Sequence, residues 1–132
     1  MPSSPSLTLR LPAARPQLAL VRALLSVWLE GNGCAGQLVD DVQLIATELV
    51  ANAVEASPAE SCEVCVVLSL DPKGLDLLVE DEGGGFSLMD TAAAPGINAL
   101  RGRGFLIVRA LTDELHVRRV GDRTQVAVRK LR

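Results

Sequence analysis

The sequence predicts an α+β fold, in which a mostly antiparallel sheet packs against amphipathic helices. Five segments carry strand-like apolar patterns, and two pairs of them are joined by short turns that favour antiparallel hairpins. Other segments repeat apolar residues every three to four positions, which is the helical period. Because 132 residues is about the size of one domain, we expect a single domain at 7–132 after a flexible N-terminal tail at 1–6.

Composition narrows the possible functions. Hydrophobic residues make up 48% of the chain, which is enough for a substantial core, while the net charge is −3 and aromatic residues account for 2%. A basic groove with stacking aromatics is therefore missing, which argues against direct nucleic-acid binding. Charged residues interrupt every apolar run well below the roughly 18 residues of a membrane span. We therefore expect a cytoplasmic protein with neither a nucleic-acid nor a membrane partner.

The first two elements follow from apolar spacing. Leu7, Leu9 and Leu11 alternate with polar residues and predict a strand that ends at Pro12. A helix is predicted after Pro16, and glycines at 31 and 33 stop it. Arg22 lies beside its apolar face, either as a solvated residue or as a docking point for a protein partner. The predicted apolar face consists of Leu18, Val21, Leu24, Leu25 and Trp28.

A second helix is predicted at 37–56, and it carries an unusual polar pair. Glu48 and Asn52 are four residues apart, so they project together beside the apolar stripe. The pair could be solvated, or Asn52 could offer an amide oxygen to Mg²⁺ while Glu48 acts as a base or orients water. The stripe itself consists of Leu38, Val42, Ile45, Leu49 and Ala53.

The next two strands, about 62–70 and 75–80, are joined by the turn sequence Asp71 to Gly74. Cys62 is in phase with the apolar residues of its strand and Cys65 points to the opposite face, so we interpret these cysteines as packing residues rather than metal ligands. Cys34 is the third cysteine. The lone histidine, His116, lies in a later strand-like run and is interpreted as structural or exposed.

A carboxylate followed by glycines ends the second of these strands. Asp81 could accept a hydrogen bond from an exocyclic amine, and Gly83 and Gly85 could let the backbone approach a flat purine base. An ordinary turn is the alternative interpretation. The segment 86–101 that follows has no strong periodicity and is interpreted as a flexible lid.

An apolar helix is predicted to begin at Phe105, directly after Gly102, Arg103 and Gly104. Free N–H groups at such a helix start, with Arg101 and Arg103 nearby, would form a phosphate site. The closing hairpin, 115–120 and 124–130, places Thr124 on the buried side with Val126 and Val128. Its hydroxyl could bond a base edge or a backbone group.

The order of these motifs resembles the N, G1 and G2 boxes of the ATPase superfamily shared by gyrase, the heat-shock chaperone, histidine kinases and MutL. The resemblance rests on Glu48-x-x-x-Asn52-Ala53, Asp81-x-Gly83-x-Gly85, Gly102-x-Gly104-Phe105 and the late strand threonine, and it spans residues 7–131. The compact size and the run Glu-Leu-Val-x-Asn-Ala-Val look most like the anti-sigma factor serine kinases.

This resemblance implies the histidine-kinase-like ATPase (Bergerat) fold, an α/β two-layer sandwich. Its sheet would be mixed but mostly antiparallel, with helices on one face and ATP between the layers. In this resemblance Asn52 would chelate Mg²⁺ and Glu48 would be the general base. Adenine would be recognised by Asp81 together with Gly83, Gly85 and Thr124. The triphosphate would be contacted by Gly102, Arg103, Gly104 and Phe105, and Arg22 would bind a protein partner.

The resemblance also implies an activity. Such kinases bind a sigma factor and phosphorylate a serine of an anti-anti-sigma antagonist, using ATP and Mg²⁺, and a homodimer is expected. Ala56 stands where the family often has histidine, and the lid is short and lacks lysine. A nucleotide-gated module that sequesters a partner without kinase activity is therefore an alternative. The catalytic domain of a sensor histidine kinase is another, although 132 residues hold no separate phosphoacceptor helix pair.

Overall fold

Eight helices and strands make up the described part of the chain. The computed structural model describes residues 4–57, 59, 62–82 and 99–132, except for the side chains of 99–104. The elements in chain order are β1 (Ser6–Pro12), α1 (Gln17–Gly31), α2 (Gln37–Ala56), β2 (Glu63–Leu70), β3 (Gly74–Asp81), α3 (Ala99–Leu111), β4 (Glu114–Val120) and β5 (Arg123–Leu131).

The strands form one sheet in the order β1-β2-β3-β5-β4. Every pairing among the described strands is antiparallel, so the expectation of a mixed sheet was wrong in that detail. The reason is the position of β5. The chain leaves β3, forms α3 and returns as β4 in the same direction as β3, but the β4–β5 hairpin inserts β5 between them.

The three helices all contact one face of the sheet or each other, which gives the predicted two layers. α2 lies at the centre of the helical layer, where it packs against α1, α3, β2 and β3. Alternate strand residues point into this layer, and the apolar ones are buried. We call this side the inner face and the opposite side the outer face. Buried inner-face residues of β2 and β3 are Val64, Val66, Leu68, Leu70, Leu75, Leu77 and Val79.

The helical patterns match the structure closely in α2 and less closely in α1. α2 spans the predicted residues, and Val42, Ile45 and Leu49 are buried. In α1 the buried residues are Val21, Leu25 and Leu29, whereas Leu24 was expected on the buried face and is 37% exposed. Residues 21, 25 and 29 repeat every four positions, so their stripe faces α2 and the sheet while Leu24 falls outside it.

Two glycines are required by the hairpins. Asp71 Oδ1 accepts hydrogen bonds from the N–H groups of Lys73 at 2.8 Å and Gly74 at 2.9 Å, which closes the β2–β3 turn. A Cβ atom on Gly74 would lie 2.4 Å from the Lys130 carbonyl oxygen, so a side chain there would separate β3 from β5. Gly121 has φ +65° in the β4–β5 turn, a conformation that favours glycine.

The start of α3 and the end of the N-terminal tail differ from the expected boundaries. α3 begins at Ala99, so Gly102 to Gly104 lie within the helix and residues 99–101 do not belong to a lid. Glycine lowers helix stability by about 1 kcal/mol relative to alanine, but packing against α2, with Val108 fully buried, overrides that preference. Ser6 pairs with Ser69 in the sheet. Residues 86–98 of the predicted lid lie outside the described residues.

None of the helices in the described part of the chain has the length and apolar character that crossing a bilayer requires.

Candidate functional site

Asp81 and Thr124 occupy directly opposed positions at the end of the β3–β5 ladder. Asp81 is 6% exposed and Thr124 is 4% exposed, and among the described residues they are the only polar residues buried to this extent. Strand alternation explains their orientation, because Asp81 is in phase with the buried Val79 and Thr124 with Val126. The buried orientation predicted for Thr124 is therefore confirmed.

These two residues belong to one row that crosses the sheet. The paired positions are Leu11 of β1, Val64 of β2, Asp81 of β3, Thr124 of β5 and Arg119 of β4. The row is apolar on the β1 side and polar on the β4 side. Arg119 Nη1 donates a hydrogen bond to Thr124 Oγ1 at 3.3 Å. A flat ligand at this sheet end would thus meet a carboxylate acceptor beside a hydroxyl group.

A cluster of charged side chains lies on the outer face at the same end of β3 and β5. Arg123 donates to Glu80 at 2.8 Å and to Glu82 at 3.3 Å, so one guanidinium bridges the residues on either side of Asp81. The side chain of Gln125 also donates to Glu80. The hydrogen bond from Gln125 and the contact with Arg123 lower the pKa of Glu80, against the opposing effect of burial. The chain at Asp81 is therefore fixed from the side opposite the candidate site.

This charged cluster was not predicted from the sequence, although a signal for it exists. Glu80 and Glu82 are two residues apart, as are Arg123 and Gln125, and each pair occupies one face of its strand. The acidic pair and the Arg123–Gln125 pair can be placed side by side only once the pairing of β5 with β3 is known.

Asn52 and Glu48 lie one turn apart on α2, and both are half-buried. The Nδ2 atom of Asn52 is buried and has no hydrogen-bond partner among the described residues. Such an unpaired buried group costs about 1–3 kcal/mol, and a bound ion or water is one way in which that cost is offset. A half-turn about χ2 exchanges Nδ2 and Oδ1, so the same position can present an oxygen to a cation.

This donor set fits Mg²⁺ bound mainly through a nucleotide. Mg²⁺ usually keeps several waters and takes one or two protein oxygens together with phosphate oxygens. No cluster of three or more histidine, cysteine or acidic residues suited to a metal ion occurs among the described residues. Asn52 can therefore serve as a single protein ligand, whereas a site made of protein ligands alone is not found in that part of the chain.

Of the two predicted glycine motifs, only the second lies among the described residues. Gly83 and Gly85 lie outside the described residues. Gly102, Arg103 and Gly104 lie in the first turns of α3, and Phe105 is half-buried. Only the first turn of a helix has free N–H groups, so these belong to residues 99–101 rather than to Gly104 and Phe105. The predicted helix start at Phe105 was therefore wrong, whereas phosphate binding by these residues stays a prediction.

Arg22 is exposed on α1, and its backbone carbonyl accepts a hydrogen bond from Gln43 Nε2 at 3.0 Å. A separate apolar stripe runs along the same helix. Leu20, Leu24 and Val27 follow at spacings of four and three, and Val27 is 72% exposed. Helical geometry places this stripe on a different side of α1 from Arg22.

The cysteines and the histidine agree with their predicted roles. Cys34 is buried and all three cysteines are free, while Cys62 packs against the core and His116 is exposed. His116 lines a cavity of about 750 Å³ on the outer face, together with Val67, Leu78, Arg118 and Ala127. This cavity lies on the opposite side of the sheet from Asp81 and Thr124.

The Histidine kinase-like ATPase domain family matches residues 11–130. The chain belongs to this family. The superfamily predicted from the motif order is therefore confirmed, and ATP is the nucleotide that membership of this ATPase family implies. A comparison with curated protein sequences found no match.

Solved structures agree on the fold of this ATPase domain. The RsbU and RsbW domains of Rv1364c from Mycobacterium tuberculosis align with a TM-score of 0.73 and 22% identity, covering 96% of this chain and 32% of that one. A chain of the SiaB–SiaC complex from Pseudomonas aeruginosa aligns with a TM-score of 0.65 and 14% identity, covering 96% of this chain and 89% of that one. This chain thus spans about a third of the mycobacterial chain.

Proposed function

We propose that this ATPase domain is a cytoplasmic serine kinase that acts as an anti-sigma factor. It would bind a sigma factor and, with ATP and Mg²⁺, phosphorylate a serine of an anti-anti-sigma antagonist. The observation that carries the nucleotide-binding part is the buried carboxylate of Asp81 opposite Thr124. The kinase part is supported by family membership and by the pairing of Glu48 with Asn52 on α2.

The base would bind at the polar end of the inner-face row. Asp81 accepts a hydrogen bond from the adenine N6 amine, and Thr124 extends the network towards the ring. Gly83 and Gly85 shape the turn beneath the base in this proposal. Guanine carries an oxygen at position 6, which the Asp81 carboxylate would repel, so the pocket favours adenine.

The phosphates would lie nearer α2 and the start of α3. Asn52 supplies an amide oxygen to Mg²⁺, and Gly102, Arg103, Gly104 and Phe105 line the triphosphate. When bound, Mg²⁺ neutralises charge on the phosphate oxygens. Glu48 accepts the proton of the attacking serine hydroxyl. The serine oxygen forms a new bond to the γ-phosphorus, the bond from that phosphorus to the β,γ-bridging oxygen breaks, and ADP leaves.

Protein partners would dock on α1. Arg22 is exposed there, and the apolar stripe of Leu20, Leu24 and Val27 provides a second accessible surface on the same helix. One of the two similar structures, that of SiaB with SiaC, is a complex of two proteins. A homodimer is part of the proposal, and light scattering at micromolar concentration tests it.

Phosphate transfer is the direct test of the kinase. ATP labelled at the γ-phosphate is incubated with the protein and each small antagonist encoded near its gene, and the acceptor residue is identified by mass spectrometry. We expect phosphoserine on one antagonist with wild type and a loss of at least about 100-fold with Glu48→Gln, since general bases contribute 10²–10⁴-fold. Glu55→Gln on the exposed side of α2 is the matched control. Transfer unaffected by Glu48→Gln would contradict the assigned base.

A second candidate is a nucleotide-gated module that sequesters its partner without transferring phosphate. Ala56, the last residue of α2, favours it because the related kinases often carry histidine there. ATP-dependent partner binding with no phosphoserine on any antagonist would support this alternative. Binding itself is tested with Arg22→Glu, using Lys73→Glu in the distant β2–β3 turn as the charge-matched control.

A further inference from the structure

We propose that the free edge of β1, together with the exposed apolar stripe of α1, binds an extended segment of a protein partner as a sixth strand of the sheet. The segment would carry apolar side chains at alternate positions and an acidic residue at one end. This inference rests on the partner docking in the proposed function, and it names a second surface and the conformation that the partner adopts there. Neither nucleotide binding nor Arg22 is needed for it.

The backbone of β1 offers a row of hydrogen-bonding groups at the edge of the sheet. β1 is an edge strand, with β2 on one side and no strand on the other in the described part of the chain. The carbonyl of Pro5 accepts a hydrogen bond from the N–H of Leu70 at 2.9 Å. Because backbone groups alternate in direction along an antiparallel strand, the N–H and C=O groups of Ser6, Thr8 and Arg10 point to the free edge. An added strand is the structure that pairs with all of them.

The exposed stripe of α1 lies beside this edge. Gln43 of α2 donates to the carbonyl of Arg22 at 3.0 Å, so α2 borders α1 on the side of Arg22. Leu20, Leu24 and Val27 lie on the other side of the helix. Since α1 packs on β1, that side projects beyond the edge of the sheet. The three residues are 45%, 37% and 72% exposed, and the inner-face side chains of an added strand would cover them.

Comparison with the opposite edge shows that β1 lacks the protection common in edge strands. Charged side chains discourage pairing at an edge, and β4 carries Glu114, Arg118 and Arg119. β1 carries only Arg10, and its inner-face leucines are half-buried beside the stripe of α1. An apolar surface next to such an edge is typical of an interaction site.

Charge distinguishes a foreign segment from a second copy of this chain. Arg10 is exposed, and β1 contains no acidic residue. Opposed residues of two paired strands share a face, so a second antiparallel β1 would place only serine, threonine or arginine opposite Arg10. A partner segment with aspartate or glutamate at that position supplies the opposite charge. The occupant that fits this edge is therefore a segment of another protein.

The probe is the synthetic peptide acetyl-Asp-Val-Thr-Val-Thr-Val-Thr-Val-Asp-amide, which has the same pattern in both directions. It is titrated into the full chain without nucleotide, and amide hydrogen exchange is followed by NMR. We expect the exchange of Ser6, Thr8 and Arg10 to slow by about tenfold or more at saturation. Unchanged exchange of these amides with peptide present at about 1 mM would overturn the inference.

N-methylated peptides test whether binding uses strand pairing. In an antiparallel pair, which is the more stable arrangement, the threonines of the peptide direct their N–H groups to β1 and the valines direct their side chains to α1. N-methylation of the threonines should weaken binding by about tenfold or more, since at least two hydrogen bonds are lost. N-methylation of the valines should have little effect. Equal losses from the two sets, or no loss from either, would contradict strand addition.

Variants of the protein test the surface itself. Val27→Ser should weaken peptide binding by about threefold or more, whereas Leu106→Ser should bind like wild type, because Leu106 is 66% exposed on α3, away from β1. Equal affinities of Val27→Ser and wild type would remove the stripe from the site. Protection of the three β1 amides in the peptide-free protein that disappears on dilution would assign the edge to a second copy and overturn the inference. Peptide binding by a protein that neither binds ATP nor transfers phosphate would remove the kinase proposal and leave this site in place.

Discussion

Asp81 at the end of β3 lies directly opposite Thr124 of β5, and both side chains are buried on the face that the helices cover. These residues are far apart in the sequence, and only the insertion of β5 between β3 and β4 brings them together. The proposed function places the adenine base at this sheet end, where the Asp81 carboxylate could accept a hydrogen bond from the exocyclic amine.

Replacing Asn52 by leucine should affect stability and nucleotide binding in opposite directions. Its buried Nδ2 has no partner among the described residues, so an apolar side chain of similar volume removes an unpaired polar group. We expect the free energy of unfolding of the unliganded protein to stay the same or to rise by up to about 1 kcal/mol. The increase in ATP affinity on adding Mg²⁺ should disappear. Urea unfolding and calorimetry measure the two effects.

Leucine at position 49, on the same helix but in the core, provides the comparison. Leu49→Ala should lower stability by about 2–5 kcal/mol, since Leu49 is 2% exposed. If Asn52→Leu is destabilising to a similar degree, the amide is paired in solution and is not reserved for a ligand.

Gly74 and Gly31 should respond oppositely to alanine. A Cβ atom at Gly74 would lie 2.4 Å from the Lys130 carbonyl oxygen. A Cβ atom at Gly31 would have no described atom within 4 Å, apart from its chain neighbours and the backbone of its own helix. We expect Gly74→Ala to cost about 1–3 kcal/mol through displacement of the neighbouring strand. Gly31→Ala should be neutral or stabilise by about 0.4–1 kcal/mol. Equal urea midpoints for the two variants would show that β3 and β5 do not approach as closely as described.

The ion pair between Asp71 and Arg129 should make stability depend on pH in the acid range. The hydrogen bond from Arg129, at 2.9 Å, and the N–H of Lys73 lower the pKa of Asp71 from 3.8 to about 2. A carboxyl group whose pKa is lower in the folded state stabilises the protein at pH values above its unfolded-state pKa. This contribution is lost as the pH falls through the folded-state pKa. Wild type should therefore exceed Asp71→Asn in stability above about pH 4, and the difference should vanish towards pH 2.

Urea unfolding at several pH values between 2 and 7 checks this dependence. Asparagine keeps the oxygen that bonds the turn N–H groups, so the comparison isolates the charge. Asp122→Asn, in the exposed β4–β5 turn, corrects for the change in net charge. A stability difference between wild type and Asp71→Asn that is constant across this range would exclude the ion pair as its source.

Local patterns were sufficient for much of the fold. The apolar repeat gave the bounds of α2, strand alternation placed Thr124 on the inner face, and the Asp71 turn followed from its residue types. The N-terminal end of α3 was not predictable from propensity, because two glycines argue for a break while tertiary packing of Val108 retains the helix.

The candidate site was predicted in its residue types but not in its full set of contacts. The motif order identified Asp81 and Asn52, yet nothing local indicates that Arg123 bridges Glu80 and Glu82 or that Arg119 reaches Thr124. Those contacts depend on strand order and register, which are set by long-range packing. The unpaired state of Asn52 Nδ2 likewise depends on what surrounds α2.

Calorimetric titration of ATP with and without Mg²⁺, using wild type and Asp81→Asn, tests the central claim most directly. We expect wild type to bind ATP more tightly with Mg²⁺, and Asp81→Asn to lose about 10- to 100-fold in affinity, as for a hydrogen bond to a charged group. Asp76→Asn, on the outer face of the same strand, should bind like wild type. Failure of the folded wild-type protein to bind ATP or ADP, or unchanged affinity in Asp81→Asn, would contradict the assignment of this sheet end as the nucleotide site.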